Sequence, residues 1–177
     1  IIVKETGAGI AWEEAKKLES AGVRGIDVSG SGGTSFAAVE HYRSKKQETG
    51  FQHMLGDVFW DWGIPTAASL VEVSQTVNIP VIASGGLRSG VEMAKALALG
   101  ASLASLSHPM LQVAVKGAKE TISMLSSLIE ELKNTMFLVG ADSVQALRKV
   151  SVVITSETAE WLRMRGFNIE SYARGRS

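Results

Sequence analysis

The sequence predicts an α/β protein with a parallel sheet, because short apolar segments alternate with helical segments. Strands are predicted at residues 1–5, 25–29, 81–84 and 102–106, each followed by a helical pattern. Such alternation produces parallel strands joined by right-handed crossovers. Glycine-rich or polar turns follow the strand carboxyl ends, which is the face that carries ligands in (β/α)8 barrels. Four units are half of a TIM (β/α)8 barrel, so residues 1–177 are predicted to be one domain, a half barrel.

The connecting segments are assigned from apolar periodicity and from residues that cap helices. Helices are predicted at residues 11–21, 34–46, 65–77, 91–99, 110–118 and 142–149, the last capped by Asp142, whereas residues 47–62 are predicted to be an extended insertion. An apolar stripe over residues 122–136 predicts a long helix with a core-facing side. Residues 142–177 form a helical extension, with a β-branched run at 151–154, a final helix capped by Thr155 or Ser156, and a fraying tail from Tyr172.

Composition excludes several classes of protein. The chain has 18 basic and 18 acidic residues, so charge gives no reason to expect a nucleic acid or membrane partner. It has no cysteine, which excludes disulfides and thiol catalysis, and no apolar run long enough to span a bilayer. A soluble cytoplasmic protein is expected. The start at Ile1, without a methionine, predicts the later part of a longer chain, and an isolated half barrel would need its N-terminal half as a partner to cover its unpaired edges.

The segment from residue 79 to 90 predicts an anion site. A short strand leads into Gly85 and Gly86, and a helix follows. Glycines allow main-chain N–H groups to approach a ligand, and a helix start adds partial positive charge. This combination favours a phosphate, over which the Arg88 guanidinium could close. A plain strand-to-helix turn is the alternative on spacing alone.

Three further strand ends are predicted to converge on this turn. They contribute Lys4, then Ser29 with the glycine loop ending at Thr34, and finally Ser107 with His108. Strand alternation places Lys4 and Asp27 inward, where they could form an ion pair; the alternative is an exposed Lys4. A phosphorylated cofactor with a ring near the lysine, such as flavin mononucleotide (FMN), fits this arrangement, although these residues identify the phosphate site and not the ring.

The histidines and paired acids give weaker signals. His41 and His53 are predicted to lie on the surface, and the three histidines lack the spacing of ligands on one helix face, so no metal site is predicted in these residues. His108 is expected to act through its main chain. Glu130 and Glu131 are expected on the solvated side of the long helix.

Four stretches of the chain resemble one enzyme family. The segments VKETG (3–7), DVSGSGGTS (27–35), DWGIPTAAS (61–69) and ASGGLRSG (83–90) resemble the C-terminal half, strands 5–8, of archaeal-like type 2 isopentenyl-diphosphate isomerases. The resemblance implies an FMN-dependent barrel that interconverts isopentenyl and dimethylallyl diphosphates, with reduced FMN as acid–base catalyst. It also implies Mg²⁺ for the diphosphate, NADPH as reductant and a homo-tetramer or octamer.

The same resemblance assigns cofactor contacts in this chain. Lys4 would support the flavin ring, Ser29 and Thr34 would contact the cofactor, and its phosphate side would be held by Gly86, Leu87, Arg88, Ser107 and His108. The pair Ser107-His108 departs from the small, apolar or Arg residues expected before the proline. The family's Mg²⁺-binding Glu and substrate-binding Gln belong to the N-terminal half, so this segment alone is expected to be inactive.

Two other readings stay open at the level of sequence. One is another FMN-dependent TIM-barrel oxidoreductase, although the loop after the second strand lacks the His and Arg of 2-hydroxyacid oxidases. The other is a non-catalytic half-barrel fragment that only binds its partner half.

Overall fold

The computed structural model describes residues 1–44 and 50–175. Its centre is a 4-stranded parallel sheet in which spatial order follows chain order, β1 (Val3–Lys4), β2 (Ile26–Asp27), β3 (Val81–Ala83) and β4 (Leu103–Ala104). Lys4 is in register with Asp27, and Asp27 is in register with Ile82. The predicted α/β class and parallel sheet are confirmed.

The regular strands are shorter than predicted, because the chain turns away soon after each one. Main-chain hydrogen bonds nevertheless continue past the strand ends, from Glu5 N to Asp27 O (3.1 Å) and from Gly30 N to Ser84 O (3.0 Å). The carboxyl ends of the first three strands are therefore tied together by their backbones, which fixes the positions of the turns that follow.

The helices lie between and after the strands. They are α1 (Trp12–Ser20), α2 (Phe36–Ser44), α3 (Gly50–Val58), α4 (Thr66–Thr76), α5 (Gly90–Leu99), α6 (His108–Ala114), α7 (Ala118–Leu138), α8 (Val144–Leu147), α9 (Ser156–Met164) and α10 (Glu170–Ala173). Helices α1, α4, α5 and α7 pack side by side in that order, parallel to the order of the strands. Their buried residues, such as Ala15, Val71 and Leu97, join Ile26 and Val81 of the sheet in one core.

One prediction for the middle of the chain needs correction. The insertion predicted to be extended contains helix α3, which packs against α2. Two glycines, Gly50 and Gly56, weaken the helical signal of this segment in the sequence. Gly56 is needed in the structure because a Cβ there would lie 2.7 Å from the His41 side chain. The predicted boundary between helix and insertion, at residues 46 and 47, lies outside the described residues.

The C-terminal extension is more ordered than predicted. Helix α8 is capped by Ser143, whose side chain accepts a hydrogen bond from Ala146 N, and not by Asp142. Residues 151–154 form no strand in the described part of the chain; Val152 N instead donates to Tyr172 O. Tyr172 was predicted to fray, but it is 1% exposed and its hydroxyl donates to Leu99 O. Burial of this aromatic ring holds α10 against the body of the protein.

The apolar stripe of α7 divides between two faces. Leu128 is buried, and Leu132 and Met136 pack against the core, whereas Ile122, Leu125 and Ile129 are exposed. The first set is spaced by four residues and the second by three and four, so the two sets diverge around the helix. The core-facing side predicted for this helix is observed, and of the stripe it includes Leu128, Leu132 and Met136.

Among the residues that the structure describes, none of the helices combines the length and apolar character needed to cross a membrane.

Candidate functional site

A cavity of about 580 Å³ lies at the carboxyl ends of the strands. All eight residues predicted to contact a cofactor line it, namely Lys4, Ser29, Thr34, Gly86, Leu87, Arg88, Ser107 and His108. They come from four separate turns of the chain, which the parallel sheet brings to one side. The structure therefore brings the predicted residues together, while their role in binding stays a prediction.

The floor of the cavity is an ionic network around Lys4. Lys4 Nζ donates to Asp27 Oδ2 at 2.9 Å and to Ser84 Oγ at 3.2 Å. The Asp27 side chain is only 8% exposed, whereas that of Lys4 is 54% exposed. Asp27 also accepts hydrogen bonds from the Ser84 hydroxyl and from Ser29 N. The pairing of Lys4 with Asp27 predicted from strand register is thus observed, with the ammonium held at the floor and still open to the cavity.

Two glycine turns form the opposite wall and contact each other through their backbones. A Cβ on Gly33 would lie 2.8 Å from Gly86 N, and a Cβ on Gly86 would overlap the carbonyl group of Gly32. Gly85 and Gly86 have φ of 104° and 91°, a region that favours glycine. Thr66 Oγ1, at the start of α4, donates to Gly85 O and anchors the second turn. No side chain larger than hydrogen fits between the two turns.

The cavity has hydrogen-bond donors available at this wall. Within the described residues, the main-chain amides of Gly33, Gly86 and Leu87 donate no hydrogen bond. The exposed guanidinium of Arg88 lies beside them, donating to Gly86 O at 2.8 Å and to Gly32 O at 3.4 Å. A cluster of free amides next to an arginine is a suitable binding site for an anion.

The start of α5 contributes less to this site than predicted. Glu92 accepts hydrogen bonds from the amides of Arg88 and Ser89 and completes a capping box with Ser89, while Glu131 accepts from Gly90 N at 2.6 Å. Two carboxylates therefore occupy the N-terminal amides that the sequence argument reserved for an anion. Glu131 is exposed, as expected for the solvated side of α7, and it also acts as a cap of α5. The amides that remain open to an anion are those of the glycine turns, next to Arg88.

Ser107 and His108 close the fourth side of the cavity. Ser107 is the N-cap of α6, and His108 is the first residue of that helix, directly before Pro109. Among the described residues, the amides of Ser107 and His108 are without a hydrogen-bond acceptor. The His108 amide is thus available to a ligand, and its predicted role through the main chain stays a prediction.

Glu5 organises the turn after β1, whose residues Thr6 and Gly7 line the cavity, and its role was not predicted from the sequence. Its carboxylate accepts hydrogen bonds from the amides of Gly7, Ala8 and Gly9. Partial burial acts to raise the pKa of Glu5, but the hydrogen bonds from Ala8, Thr6, Gly7 and Gly9 outweigh it and hold this pKa below its usual range. The signal available in the sequence was a carboxylate two residues before a glycine pair, Gly7 and Gly9.

A second cavity, of about 840 Å³, lies on the other side of the β1 end. It shares Lys4 and Thr6 with the first cavity, and its further walls include Leu18, Trp62 and Trp161. Its lining is mainly apolar, and it lacks the arginine and free glycine amides of the smaller cavity. The smaller cavity is therefore the better candidate for an anionic ligand, and the larger one extends it past Lys4.

The two histidines predicted to be on the surface instead pack together. The rings of His41 and His53 have centroids 3.8 Å apart, and only 16% of the His41 side chain is exposed. Asp57 joins them, with Oδ1 2.7 Å from His41 Nδ1. His53 and Asp57 are four residues apart on α3, a spacing that places ligands on one helix face. The cluster was not predicted, because the spacing of the histidines alone does not include Asp57 and residues 47–62 were predicted to be an extended insertion.

Curated relatives are about half identical to this chain over the residues that they match. It is 52% identical over 174 residues to the isopentenyl-diphosphate delta-isomerase of Methanothermobacter thermautotrophicus, covering 98% of this chain and 48% of that protein. It is 54% identical over 166 residues to the enzyme of the same name from Pyrococcus furiosus, covering 93% and 41%. The chain spans about half the length of these relatives. The resemblance noted in the sequence is confirmed.

Solved structures with a similar fold are lactate and mandelate oxidases by name. A lactate oxidase of Pediococcus acidilactici is 28% identical with a TM-score of 0.65, covering 88% of this chain and 36% of its own. A mandelate oxidase variant with a monooxide FMN adduct is 25% identical with a TM-score of 0.63, covering 87% and 41%. The family model for FMN-dependent dehydrogenases matches residues 1–154. With the whole sheet and all of the candidate site inside that match, the chain belongs to the FMN-dependent dehydrogenase family.

Proposed function

We propose that this chain is the FMN-binding half of a (β/α)8-barrel isomerase that converts isopentenyl diphosphate to dimethylallyl diphosphate. The observation that carries the proposal is the convergence of all eight predicted cofactor residues on one cavity. The identity of 52% to an isomerase, against 28% or less to the oxidases, supports this reaction over oxidation. The four parallel strands and the coverage of about half of each relative support the half barrel.

The residues of the cavity fit FMN by size and by chemistry. A volume of about 580 Å³ is within the range of cofactor pockets. The free amides of Gly33, Gly86 and Leu87, with Arg88, would hold the phosphate. The tight contact between Gly33 and Gly86 leaves a cradle of backbone that a side chain would fill. When bound and reduced, the flavin would supply the acid–base chemistry of the isomerisation.

Lys4 is positioned to act on the flavin ring. An ammonium group has three N–H donors, and two of them are directed to Asp27 and Ser84. The third N–H remains for a ligand in the cavity. Because the buried Asp27 fixes the ammonium, Lys4 would hold positive charge against an electron-rich ring without having to reorganise.

The remaining parts of the proposal concern the complete protein. Mg²⁺ would neutralise the substrate diphosphate through ligands in the N-terminal half, and NADPH would reduce the flavin. We further propose a cytoplasmic homo-tetramer or octamer. Each of these follows from the family resemblance, and none is required for the cofactor contacts described above.

Activity of the full-length protein with isopentenyl diphosphate tests the reaction. We expect formation of dimethylallyl diphosphate in the presence of FMN, NADPH and Mg²⁺, with no net consumption of NADPH per turnover after priming. Lys4→Met should lower turnover, and Arg88→Met should weaken FMN binding roughly 10- to 100-fold, the loss of a charge-assisted hydrogen bond. Lys17→Met and Arg43→Met serve as matched controls, since both side chains are exposed and lie outside the cavity.

Oxidation of a 2-hydroxy acid is the second candidate, because the similar solved structures are named lactate and mandelate oxidases. The turn after β2, residues 29–34, contains neither histidine nor arginine to hold such a substrate. Oxygen consumption with lactate or mandelate, without isomerisation of isopentenyl diphosphate, would overturn the proposed function. FMN binding without either activity would limit the chain to a cofactor-binding role.

A further inference from the structure

Three side chains that can ligate a metal meet between α2 and α3, in a cluster unrelated to the proposed cofactor contacts. His41 comes from α2, while His53 and Asp57 come from α3. One ligand atom from each residue lies within 4.8 Å of those from the other two. The two helices pack closely at this point, where Gly56 leaves room for His41. The cluster is therefore held by two elements and not by one flexible loop.

The orientation of the two histidines is partly fixed before any metal binds. His53 Nδ1 is 3.2 Å from the main-chain oxygen of His41. A ring nitrogen that donates to a carbonyl leaves the opposite nitrogen, Nε2, as the free electron-pair donor. The rings of Tyr42 and Trp60 pack edge-on against His41, at centroid distances of 5.2 and 5.4 Å, and restrict its movement.

His41 Nδ1 is the atom that points to a ligand. It is shielded from solvent and, within the described residues, makes no well-aligned hydrogen bond, although Asp57 Oδ1 lies 2.7 Å away. A short nitrogen–oxygen distance without a properly directed hydrogen bond leaves both atoms incompletely satisfied. A cation bound between them would satisfy both at once, since imidazole nitrogen and carboxylate oxygen are both electron-pair donors.

We propose that His41, His53 and Asp57 form a binding site for one divalent transition metal ion of the Zn²⁺ class. Two imidazoles and one carboxylate are ligands that suit Zn²⁺, Co²⁺ or Ni²⁺ better than Mg²⁺. At metal–ligand distances of about 2.0–2.1 Å, tetrahedral ligand atoms are roughly 3.3 Å apart. The present spacing of up to 4.8 Å requires only small side-chain rotations, which the exposed Asp57 can make. A water molecule completes the coordination.

The metal fastens α2 to α3, and this has a consequence for the wall of the cofactor cavity. Helix α2 contributes Phe36, Val39 and Tyr42 to the 580 Å³ cavity, and Tyr42 contacts His41 directly. Binding of the ion therefore stabilises that wall without adding a ligand to the cavity itself. The inference does not depend on the identity of the reaction.

Metal titration of the full-length protein, stripped with EDTA and dialysed free of chelator, tests the site. We expect Co²⁺ to produce visible absorption bands of a four-coordinate ion at one equivalent per chain, and Zn²⁺ to displace it. Asp57→Asn and His53→Gln should weaken Zn²⁺ binding at least 10-fold in calorimetry. Glu130→Gln and Asp142→Asn, which are exposed and lie outside the cluster and the cofactor cavity, are the controls and should bind Zn²⁺ as the unchanged protein does.

Two results would overturn the proposal. One is Zn²⁺ binding in Asp57→Asn and His53→Gln equal to that in both controls. The other is the absence of saturable Co²⁺ or Zn²⁺ binding below millimolar concentration. The thermal midpoint provides a separate measurement, because Zn²⁺ should raise it in the unchanged protein and in the controls but not in Asp57→Asn. Asp57 is exposed, so loss of the fold does not complicate that variant.

Discussion

Replacing Gly86 by alanine should separate the two glycine turns and weaken FMN binding. The new Cβ would lie 2.5 Å from the carbonyl carbon of Gly32 and closer still to its oxygen. Non-bonded carbon atoms rest about 3.5–4.0 Å apart, so the turns must move by about 1 Å. Because the new Cβ meets main-chain atoms of Gly32, no side chain can rotate to relieve the clash. In addition, φ of 91° costs an alanine roughly 1–2 kcal/mol.

Gly22→Ala is the matched control for this substitution. Gly22 has nearly the same φ, 87°, but a Cβ there would meet nothing within 4 Å. Both variants therefore carry the conformational cost, and only Gly86→Ala carries the clash. A displaced turn loses at least one amide contact to the phosphate, which corresponds to roughly 10- to 100-fold weaker FMN binding.

Quenching of flavin fluorescence during titration of the full-length protein measures this difference. We expect Gly22→Ala to bind FMN as the unchanged protein does, while the urea midpoint falls in both variants and further in Gly86→Ala. Equal FMN affinity in the two variants would refute the role of the glycine turns in holding the phosphate. An equal fall of the urea midpoint in Gly22→Ala and Gly86→Ala would show that separating the two turns costs no stability.

Two further predictions concern carboxylates. Glu72 is fully buried and accepts hydrogen bonds from Trp12 N, Trp161 Nε1 and Arg165. In Glu72→Gln, one carboxylate oxygen becomes an amide N–H₂, which cannot accept a hydrogen bond from these donors. This substitution should therefore lower the free energy of unfolding by about 2–4 kcal/mol. Glu13→Gln, which removes only the more exposed partner of Arg165, is the control and should change the free energy of unfolding little. Equal urea midpoints for Glu72→Gln and Glu13→Gln would contradict this prediction. The pKa of Glu5 lies below its ordinary value near 4.5, so its carboxylate stabilises the fold above that pH and the stabilisation is lost as the pH falls through the lowered value. The stability difference between the unchanged protein and Glu5→Gln should therefore be present in full at pH 7 and decrease as the pH falls below 4.5. A difference that does not change with pH in that range would argue against the amide contacts.

Local sequence patterns predicted the order of the elements and the residues at the strand ends. Apolar runs such as Ile79 to Ala83 and glycines after them are determined by near neighbours in the chain. Strand alternation was enough to pair Lys4 with Asp27, because parallel register carries each inward residue to the same side. These features could be predicted because each depends on only a few adjacent residues.

Features that depend on distant contacts could not be predicted in this way. Glu131 caps α5 from another helix, 41 positions along the chain from Gly90, and Tyr172 is buried against Leu99. Neither contact leaves a local pattern. The meeting of His41 with His53 likewise depends on how α2 and α3 pack. The predicted cap of α8, Asp142, and the observed cap, Ser143, are adjacent. Sequence patterns rarely locate the end of a helix to within one residue.

The backbone contact between the glycine turns restricts how this scaffold can diverge. Since Gly32 and Gly86 meet without side chains, mutation has almost nothing to vary there, and insertion of even one residue would open the cradle. Changes in substrate preference among descendants of this scaffold must therefore arise at neighbouring positions such as Phe36, Val39 and Tyr42, whose exposed side chains tolerate exchange. Selection would keep the proposed phosphate contacts constant while the rest of the cavity changes shape.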